Sequence, residues 1–400
     1  MKDLEIERVQ IYAVGPETER YTWATNHTAQ YVTNTIARVT TKGGLEGVGA
    51  AMSVTEFGFS AAVAETMRSM LPLVVGATPF DRERLWHRLL PLDLPLAPQA
   101  QSIIDIALWD LMAKHADMPL YQMLGGARSK IMSYASTPLL PSPAAYVDFV
   151  AEMRDLGFKA IKFHCYCVYE RDMEMVRAVH ARFGDSGIKF MLDVEQRYTR
   201  EQALKAAQEL EELGYTWFEA PLPDFDLEGY RDLKRRVNVP ILANGNWILD
   251  ARLIEHVLDY DCWTHVRVDT TVAGGVTGMQ KIMAVADAHG MNVEIQSWGY
   301  TLTQAANLQL MLAHNNCGFF EQPVPYPAFE YGSLNAIRTD KDGFVHAPDG
   351  AGLGILTDWK AMEKAAFLVY EQTGRAEPAS RPVGSPPRSE RSGTKSSARS

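Results

Sequence analysis

Two acids and one amide end successive apolar runs in the middle of the chain. Asp193 ends the run FMLD, Glu219 ends WFE, and Asn246 closes the stretch LANGN. A single buried acid in such a place is often only salt-bridged, but three oxygen ligands on consecutive strands are better explained by a shared cation. A ligand set without nitrogen or sulfur suits Mg²⁺, with Mn²⁺ as the second choice. The sequence therefore predicts a metal site at these three residues.

A second group of polar residues could move protons at the same place. Lys162 and His164 are two apart in the run AIKFH, so both side chains point to the same face of a strand. Histidine titrates near neutral pH, which makes His164 the candidate general base. The same alternation assigns further polar residues to inward positions, and those taken as candidate catalytic residues are Glu195, Asp269, Gln296 and Glu321, while Arg267 and Glu294 are also inward.

The elements that must position these residues alternate between strand and helix. From Ile131 to Glu321, short apolar runs are separated by stretches in which apolar residues recur at helical spacing. The runs end at nearly regular intervals, which favours a closed parallel barrel over an open sheet. The carboxyl ends of the strands carry the active site in such a barrel, and the residues named above lie there.

The segment before the barrel has a different organisation. Residues 4–50 have strand patterns and residues 55–118 have helical patterns, which predicts an α+β unit. The first two strands are joined by Gly15 to Gln30, an aromatic-rich loop that is either a lid over a binding site or a solvated connection. The predicted substrate contacts are Trp23 and His27 in this loop, and Asn244 and Trp298 at the strand ends.

Composition and charge exclude several classes of partner. The chain has 400 residues and a formal net charge of −10, which disfavours nucleic acid and anionic membranes because both require a basic face. The sequence has no signal-peptide pattern and no apolar run long enough to span a membrane, which predicts a cytoplasmic protein. The 4 cysteines are predicted to be reduced, since a Cys-x-Cys pair alone is not a zinc site.

Several motifs, in their order and spacing, resemble the mandelate racemase branch of the enolase superfamily. In the N-terminal half they are IIDIALWD from Ile103, MPL from Met118 and LGG from Leu124. Further on they are Asp193, WFEAP from Trp217, Asp269 followed by AGGVTG, Glu321, and DGAGLG from Asp349. Each motif alone is weak, but together they extend the resemblance over about residues 4–370.

The resemblance implies an α/β fold, a (β/α)7β TIM-like barrel with an N-terminal α+β capping domain. It implies Mg²⁺-dependent removal of the proton next to a carboxylate, giving an enediolate that positive charge stabilises. It also implies a small-molecule carboxylate as the partner, a homo-oligomer, and a protonated Glu321 that hydrogen-bonds the substrate carboxylate.

The predicted division of the chain follows from this resemblance and from composition. The parts are the cap (1–128), the barrel (129–325), a segment that returns to the cap (326–375) and a tail (376–400). A short helix is predicted around Trp359 to Tyr370. The tail has almost no apolar residues, so it is predicted not to fold.

Three positions depart from the family's pattern. Asn246 stands where the third metal ligand is usually Glu, so the site loses one negative charge. His164 replaces the second lysine of a Lys-x-Lys pattern, whose second position is the usual base. Gln296 replaces the histidine that pairs with the acid at Asp269, and an amide cannot exchange protons.

These departures leave one obvious proton shuttle, His164, with Lys162 beside it and Glu195, Asp269 and His27 in reserve. A single base favours syn elimination of water from a hydroxy or sugar acid to a 2-keto-3-deoxy acid, with His164 as base and then acid. Glu195 is predicted to assist departure of the leaving group. The amides of Asn244, Asn246 and Gln296 can hydrogen-bond the hydroxyl groups of a sugar acid. The alternatives are an epimerase, racemase or cycloisomerase acting on a carboxylate or lactone, and a relative that binds a ligand without turnover.

Overall fold

The structure is a computed structural model that describes residues 2–25, 28–52, 57–93 and 98–374. The predicted substrate contact His27 and the tail from residue 376 lie outside these ranges. The N-terminal elements are β1 (Ile6–Val14), β2 (Asn34–Thr41), β3 (Glu46–Met52), α1 (Phe57–Val74), α2 (Arg82–Asp93), α3 (Pro98–His115) and α4 (Leu120–Met123). No helix of the described residues is both long and apolar enough to cross a bilayer.

Parallel strands then alternate with helices within the continuously described segment 98–374. They are β4 (Lys130–Ser136), α5 (Pro143–Leu156), β5 (Ala160–His164), α6 (Tyr169–Phe183), β6 (Lys189–Asp193), α7 (Arg200–Glu212), β7 (Trp217–Glu219), α8 (Leu227–Lys234), β8 (Ile241–Leu242), α9 (Ala251–Asp259), β9 (Val266–Val268), α10 (Gly275–Ala288), β10 (Val293–Ile295), α11 (Thr301–Ala313) and β11 (Phe320–Pro323). This alternation confirms the predicted (β/α)7β order. The remaining elements are β12 (Phe344–His346), α12 (Trp359–Ala365) and β13 (Ala366–Thr373).

The barrel closes partly through backbone pairing and partly through side chains. Strands β11, β4, β5, β6, β7 and β8 form one continuous ladder, and β9 pairs with β10. A parallel bridge between Leu242 and His265 connects β8 to β9. At the last gap, Glu294 of β10 accepts hydrogen bonds from the backbone N–H groups of Gly318 and Phe319, each at 3.1 Å. One buried carboxylate thus fills a place that a strand ladder would otherwise occupy.

Helix α3 joins the cap to the barrel. It packs between β3 and α10, and its residues from Gln99 to Ala113 are buried. Gly49 of β3 permits the close approach, because a Cβ atom there would lie 2.0 Å from the Ile103 carbonyl oxygen. On the barrel side, the Asp105 carboxylate accepts hydrogen bonds from the N–H and hydroxyl of Thr277, at 2.9 and 2.6 Å. The IIDIALWD motif therefore builds this joint.

The cap sheet is completed by β13, which follows the barrel in the chain. Its antiparallel order is β13–β1–β2–β3, so the last described strand pairs with the first. The predicted helix around Trp359 to Tyr370 is wrong in its second half, because it ends at Ala365 and Tyr370 lies in β13. The reason is tertiary: residues of β13 alternate between partly buried and exposed, and Leu368 and Tyr370 pack on the cap core. The predicted domain boundaries stay a prediction.

Candidate active site

Strand register brings three predicted site residues to one level at the carboxyl end of the barrel. His164 is in register with Asp193, and Asp193 with Glu219. Their side chains are almost fully buried. Buried carboxylates require partners of opposite charge or strong donors. The neighbouring groups therefore decide what these three residues can do.

Lys162 is the centre of this buried cluster. Its ammonium nitrogen lies 3.2 Å from Asp193 Oδ2, 2.9 Å from Glu219 Oε1 and 3.0 Å from Glu321 Oε1. Burial alone would lower the pKa of Lys162 and so would the nearby Arg267, but the surrounding carboxylates hold it well above its ordinary value. Lys162 is therefore a fixed positive charge beneath the site, and its nitrogen has no lone pair with which to accept a proton.

Arg267 on β9 is a second cation in the cluster, and the sequence analysis did not assign it to the site. Its Nε lies 2.6 Å from Glu219 Oε1 as an ion pair, and its Nη2 lies 3.0 Å from Glu321 Oε2. The other Glu219 oxygen accepts a hydrogen bond from the Trp217 indole at 3.1 Å. A charged residue at an inward strand position was the available signal, since arginine there requires acidic neighbours.

Glu321 is held as a carboxylate. Besides the two cations, Oε1 accepts a hydrogen bond from Ser136 Oγ at 2.9 Å, and Oε2 accepts one from the Ser297 N–H at 3.1 Å. Burial raises the pKa of Glu321, but the charges of Lys162 and Arg267 outweigh it and hold the pKa well below its usual range. A protonated Glu321 in contact with a substrate carboxylate stays a prediction.

The ring of His164 has a defined tautomer. Its Nδ1 lies 2.6 Å from the Thr137 carbonyl oxygen, which can only accept, so Nδ1 carries the proton. Burial and the neighbouring Lys162 lower the pKa of His164 to about 4, so the ring is neutral near pH 7. Its Nε2 atom thus has a free lone pair, 3.5 Å from Asp193 Oδ2. This is the arrangement that a general base, or a metal ligand, requires.

Glu195 follows β6 on a tight turn of the chain. Glu195 and Gln196 both have positive φ angles, of 50° and 64°, and the Glu195 N–H donates to Asp193 Oδ1 at 3.0 Å. Burial and the charge of Asp193 raise the pKa of Glu195 to about 8. A carboxyl group that keeps its proton near pH 7 can act as an acid.

A cavity of about 330 Å³ lies above the buried cluster. Its lining residues are Trp23, His164, Glu195, Gln196, Asn244, Asn246, Trp247, Gln296, Trp298 and Glu321. The predicted site residues Lys162, Asp193, Glu219 and Asp269 are buried and do not form its wall. Gln196 and Trp247 were not predicted, although each directly follows a predicted residue in the chain.

The loop with the two asparagines is fixed by a buried acid that the sequence analysis did not single out. The Asp224 carboxylate accepts hydrogen bonds from the N–H groups of Asn244 and Gly245, at 2.8 and 3.3 Å. Asn246 is exposed to the cavity, and its amide nitrogen donates to Asn244 Oδ1. Gly245 has a φ of 83°, and a Cβ atom there would lie 2.4 Å from the Arg267 carbonyl oxygen.

Asp269 has no histidine partner among the residues that the structure describes. Its Oδ1 accepts hydrogen bonds from the Thr271 N–H at 2.7 Å and from Asn307 at 3.0 Å. In the same described part of the chain, Asp269 Oδ2 and Gln296 Oε1 are buried acceptors without a donor. Such atoms are uncommon and indicate that a further donor is expected nearby.

The residues present fit a divalent cation anchored at Asp193. One atom each of His164, Asp193 and Glu195 lie within 4.8 Å of one another. The predicted ligand Glu219 instead has both oxygens in contact with Lys162, Arg267 and Trp217. The set of Asp193, Glu219 and Asn246 therefore stays a prediction.

The charge of the cluster also suits a dication. Burial raises the pKa of Glu219 to about 7, although the charges of Arg267 and Lys162 lower it. The groups in contact with its oxygens are donors, so we count Glu219 as an ionised carboxylate. Asp193, Glu219 and Glu321 then exceed the two cations by one negative charge. A dication and one substrate carboxylate together would make the cluster neutral.

Two family models match this chain. Residues 145–361 match the model described as enolase C-terminal domain-like, and residues 8–125 match the N-terminal domain of mandelate racemase / muconate lactonizing enzyme. A solved structure from Pseudovibrio sp. carries the same description, mandelate racemase/muconate lactonizing enzyme. It is 46% identical with a TM-score of 0.90, and the match covers 92% of this chain and 99% of that chain.

Several relatives carry the names of dehydratases. A D-galactonate dehydratase family member of Enterococcus gallinarum (strain EG2) is 26% identical over 93% of this chain and 96% of its own. The L-talarate/galactarate dehydratase of Salmonella typhimurium (strain LT2) is 30% identical over 64% of this chain and 65% of its own. Its structure liganded with Mg and L-lyxarohydroxamate is similar in fold, with 24% identity, a TM-score of 0.81, and coverage of 93% and 95%. This chain belongs to the mandelate racemase and muconate lactonizing enzyme family of the enolase superfamily.

Proposed function

We propose that the protein removes the proton next to the carboxylate of a hydroxy or sugar acid and eliminates water to give a 2-keto-3-deoxy acid. The observation that carries this proposal is the His164 ring, whose Nδ1 proton is held by Thr137 and whose Nε2 lone pair is free at the cavity. The relatives named as sugar-acid dehydratases support the substrate class. The partner is then a small-molecule carboxylate.

His164 and Glu195 divide the proton transfers in this proposal. His164 Nε2 takes the α-proton, and Glu195 gives its proton to the hydroxyl that leaves as water. The enol product takes the His164 proton at carbon 3 as it becomes the 2-keto acid, and its hydroxyl proton is released to solvent. A proton from solvent then reloads Glu195. Both residues line the cavity, and His164 ends β5 while Glu195 follows the neighbouring β6, which suits elimination on one face.

Amide side chains in the wall account for the hydroxyls of the substrate. Gln296 Oε1 is a buried acceptor that lacks a donor in the described part of the chain, and a substrate hydroxyl would supply one. Asn244 and Asn246 offer further amide groups in the cavity wall. Trp298 and Trp23 would border the carbon chain.

The enediolate requires added positive charge, because the carboxylates beneath the cavity outnumber Lys162 and Arg267 by one. Lys162 and Arg267 are held permanently charged by Glu219 and Glu321. We propose Mg²⁺, or Mn²⁺, at Asp193, with Glu219 and Asn246 as the other predicted ligands. When bound, the dication supplies positive charge to the substrate carboxylate.

Incubation of the protein with a library of acid sugars and Mg²⁺ in D₂O tests the proposal. We expect a 2-keto product from at least one acid, and no product with H164A. Deuterium exchange at the α-carbon without dehydration would instead assign an epimerase, racemase or cycloisomerase. If no acid forms a product or exchanges its α-proton for deuterium, although an acid still binds, the protein is a non-catalytic relative. A cytoplasmic location and a homo-oligomer also remain proposals.

A further inference from the structure

The carbonyl group that orients His164 has a second donor, and this donor comes from the cap. Thr137 O accepts from His164 Nδ1 at 2.6 Å and from the Tyr21 hydroxyl at 3.1 Å. Thr137 follows β4 in the barrel, whereas Tyr21 lies in the loop between β1 and β2. The cap loop therefore contacts the atom that sets the tautomer of the proposed base.

The backbone of Thr137 is anchored by its own N–H, which donates to the Lys162 carbonyl at 3.1 Å, and the two donors Tyr21 and His164 act on its carbonyl oxygen. The next residue is Pro138, so the peptide unit between them has no N–H group. The carbonyl oxygen is its single polar hydrogen-bonding atom, and its lone pairs face Tyr21 and His164. Without Tyr21, this carbonyl oxygen would keep the His164 ring as its described donor.

Tyr21 is itself held firmly. Its ring is buried and lies 5.3 Å from the Trp298 ring and 5.2 Å from the Phe329 ring, centroid to centroid. The Trp298 indole N–H donates to the Tyr21 hydroxyl at 3.3 Å, which leaves the hydroxyl proton for Thr137. Its backbone exchanges two hydrogen bonds with Gln30 across the loop.

The same loop also contacts the two segments that follow β4 and β5; Thr137 directly follows β4, and His164 ends β5. The Leu139 N–H, after β4, donates to the Thr22 carbonyl at 3.0 Å. The Thr25 hydroxyl donates to the Tyr166 carbonyl at 2.8 Å, just after β5. Docking of the loop and placement of the His164 ring thus share one set of contacts.

We propose that Tyr21 is a positioning residue for His164, and that docking of the cap loop on the barrel makes the base ready. The Tyr21 hydroxyl holds the Thr137 carbonyl toward His164 Nδ1, which keeps the Nε2 lone pair directed into the cavity. The catalytic consequence rests on the proposed role of His164, but the positioning itself does not. The loop that covers the cavity and the residue that takes the proton are coupled through one carbonyl oxygen.

The test compares Y21F with a matched variant, Y300F. Both changes remove one hydroxyl that donates to a backbone carbonyl in the same aromatic cluster, but Tyr300 donates to Val32 and not to Thr137. For Y21F we expect kcat to fall about 10-fold with KM changed by less than about 2-fold, as for other residues that orient a functional histidine. Y300F should leave both constants within about 2-fold. Equal losses in the two variants, or a change confined to KM, would overturn the proposal.

A second readout does not require turnover. In ¹⁵N–¹H NMR spectra of the substrate-free protein at one fixed pH, the His164 Nδ1 proton is assigned by its disappearance in H164Q. We expect Y21F to shift this resonance and speed its exchange with solvent, and Y300F to leave it in place. An unchanged Nδ1 proton in Y21F would overturn the proposal even if activity fell. Failure to find any substrate would count against the proposed function, whereas this measurement would still decide the role of Tyr21.

Discussion

At the scale of single residues, the main feature is a dense set of buried charges beneath one cavity. Lys162 and Arg267 lie among three carboxylates at distances of 2.6 to 3.2 Å. Side chains that are this deeply buried remain charged only when they contact groups of opposite charge. The cluster therefore fixes Lys162 and Glu321 in their charged forms and leaves proton transfer to His164 and Glu195.

Replacement of Arg267 should be costly for stability. Arg267→Met leaves Glu219 and Glu321 with Lys162 as their remaining cation, and breaking a buried ion pair typically costs about 3–5 kcal/mol. Urea unfolding of this variant should show such a loss. Arg338→Gln is the control, because Arg338 pairs with Glu330 at the surface and such pairs contribute about 0–1 kcal/mol. Similar losses in the two variants would contradict the network described here.

A second experiment separates two roles of His164. If it is the base, H164Q should lower turnover by about 100- to 10,000-fold. Mn²⁺ binding, followed by electron paramagnetic resonance, should then change little, whereas D193N should weaken it about 10-fold or more because the anchoring charge is lost. Loss of Mn²⁺ binding in H164Q would instead make His164 a ligand, in the group that it forms with Asp193 and Glu195.

At the scale of elements, register and packing place these residues. Strands β5, β6 and β7 are in register at their carboxyl ends, so even a one-residue slip would turn His164, Asp193 or Glu219 to the other face of the sheet. Helix α3, which the family motif marks, contributes no site residue and instead ties the cap to α10.

This joint should make stability depend on pH. Burial raises the pKa of Asp105 in the folded protein to about 7, against an ordinary value of 3.8. Between these values the folded state holds a proton that the unfolded state has lost, so this group lowers stability as pH rises from about 4 to about 7. Asp105→Asn cannot titrate, and an amide oxygen can still accept from the Thr277 N–H.

The measurement is the free energy of unfolding of both proteins at pH 5 and pH 8. All other groups titrate alike in the two proteins, so the difference between them isolates Asp105. The deficit of the variant should be smaller at pH 8 than at pH 5. A deficit that is the same at both pH values, or larger at pH 8, would show that Asp105 does not titrate in this range.

At the scale of the whole molecule, cap and barrel are joined at both ends of the chain. The chain leaves the cap after α4, builds the barrel, and returns so that β13 pairs with β1. The loop between β1 and β2 then reaches the cavity from the cap. Access to the site and integrity of the cap are therefore linked.

Two truncations test this arrangement. Removal of residues 375–400 should leave the melting temperature nearly unchanged, since the composition of this tail predicts no folded contribution. Removal of residues 366–400 should lower it by several degrees, because the edge of β1 loses a complete antiparallel partner. A strong effect of the shorter truncation would contradict the predicted tail, and no effect of the longer one would contradict the role of β13.

The sequence by itself determined the barrel, the cap and most of the cavity wall. Period-two alternation and regular strand–helix spacing predict which side chains face inward, because these depend on local geometry alone. His164, Glu195 and Gln296 were predicted in this way. The pattern also marked Arg267 as inward, but it carries no information about which acids Arg267 would contact.

Only the tertiary structure decided which polar groups form hydrogen bonds and ion pairs with one another. Thr137 and Tyr21 are far apart in sequence, and a hydrogen bond between them depends on how the cap loop folds over the barrel. The ionised state of Glu321 likewise follows from Lys162, Arg267 and two serines that converge from four other segments. Such contacts are set by packing across distant elements, and no local spacing rule encodes them.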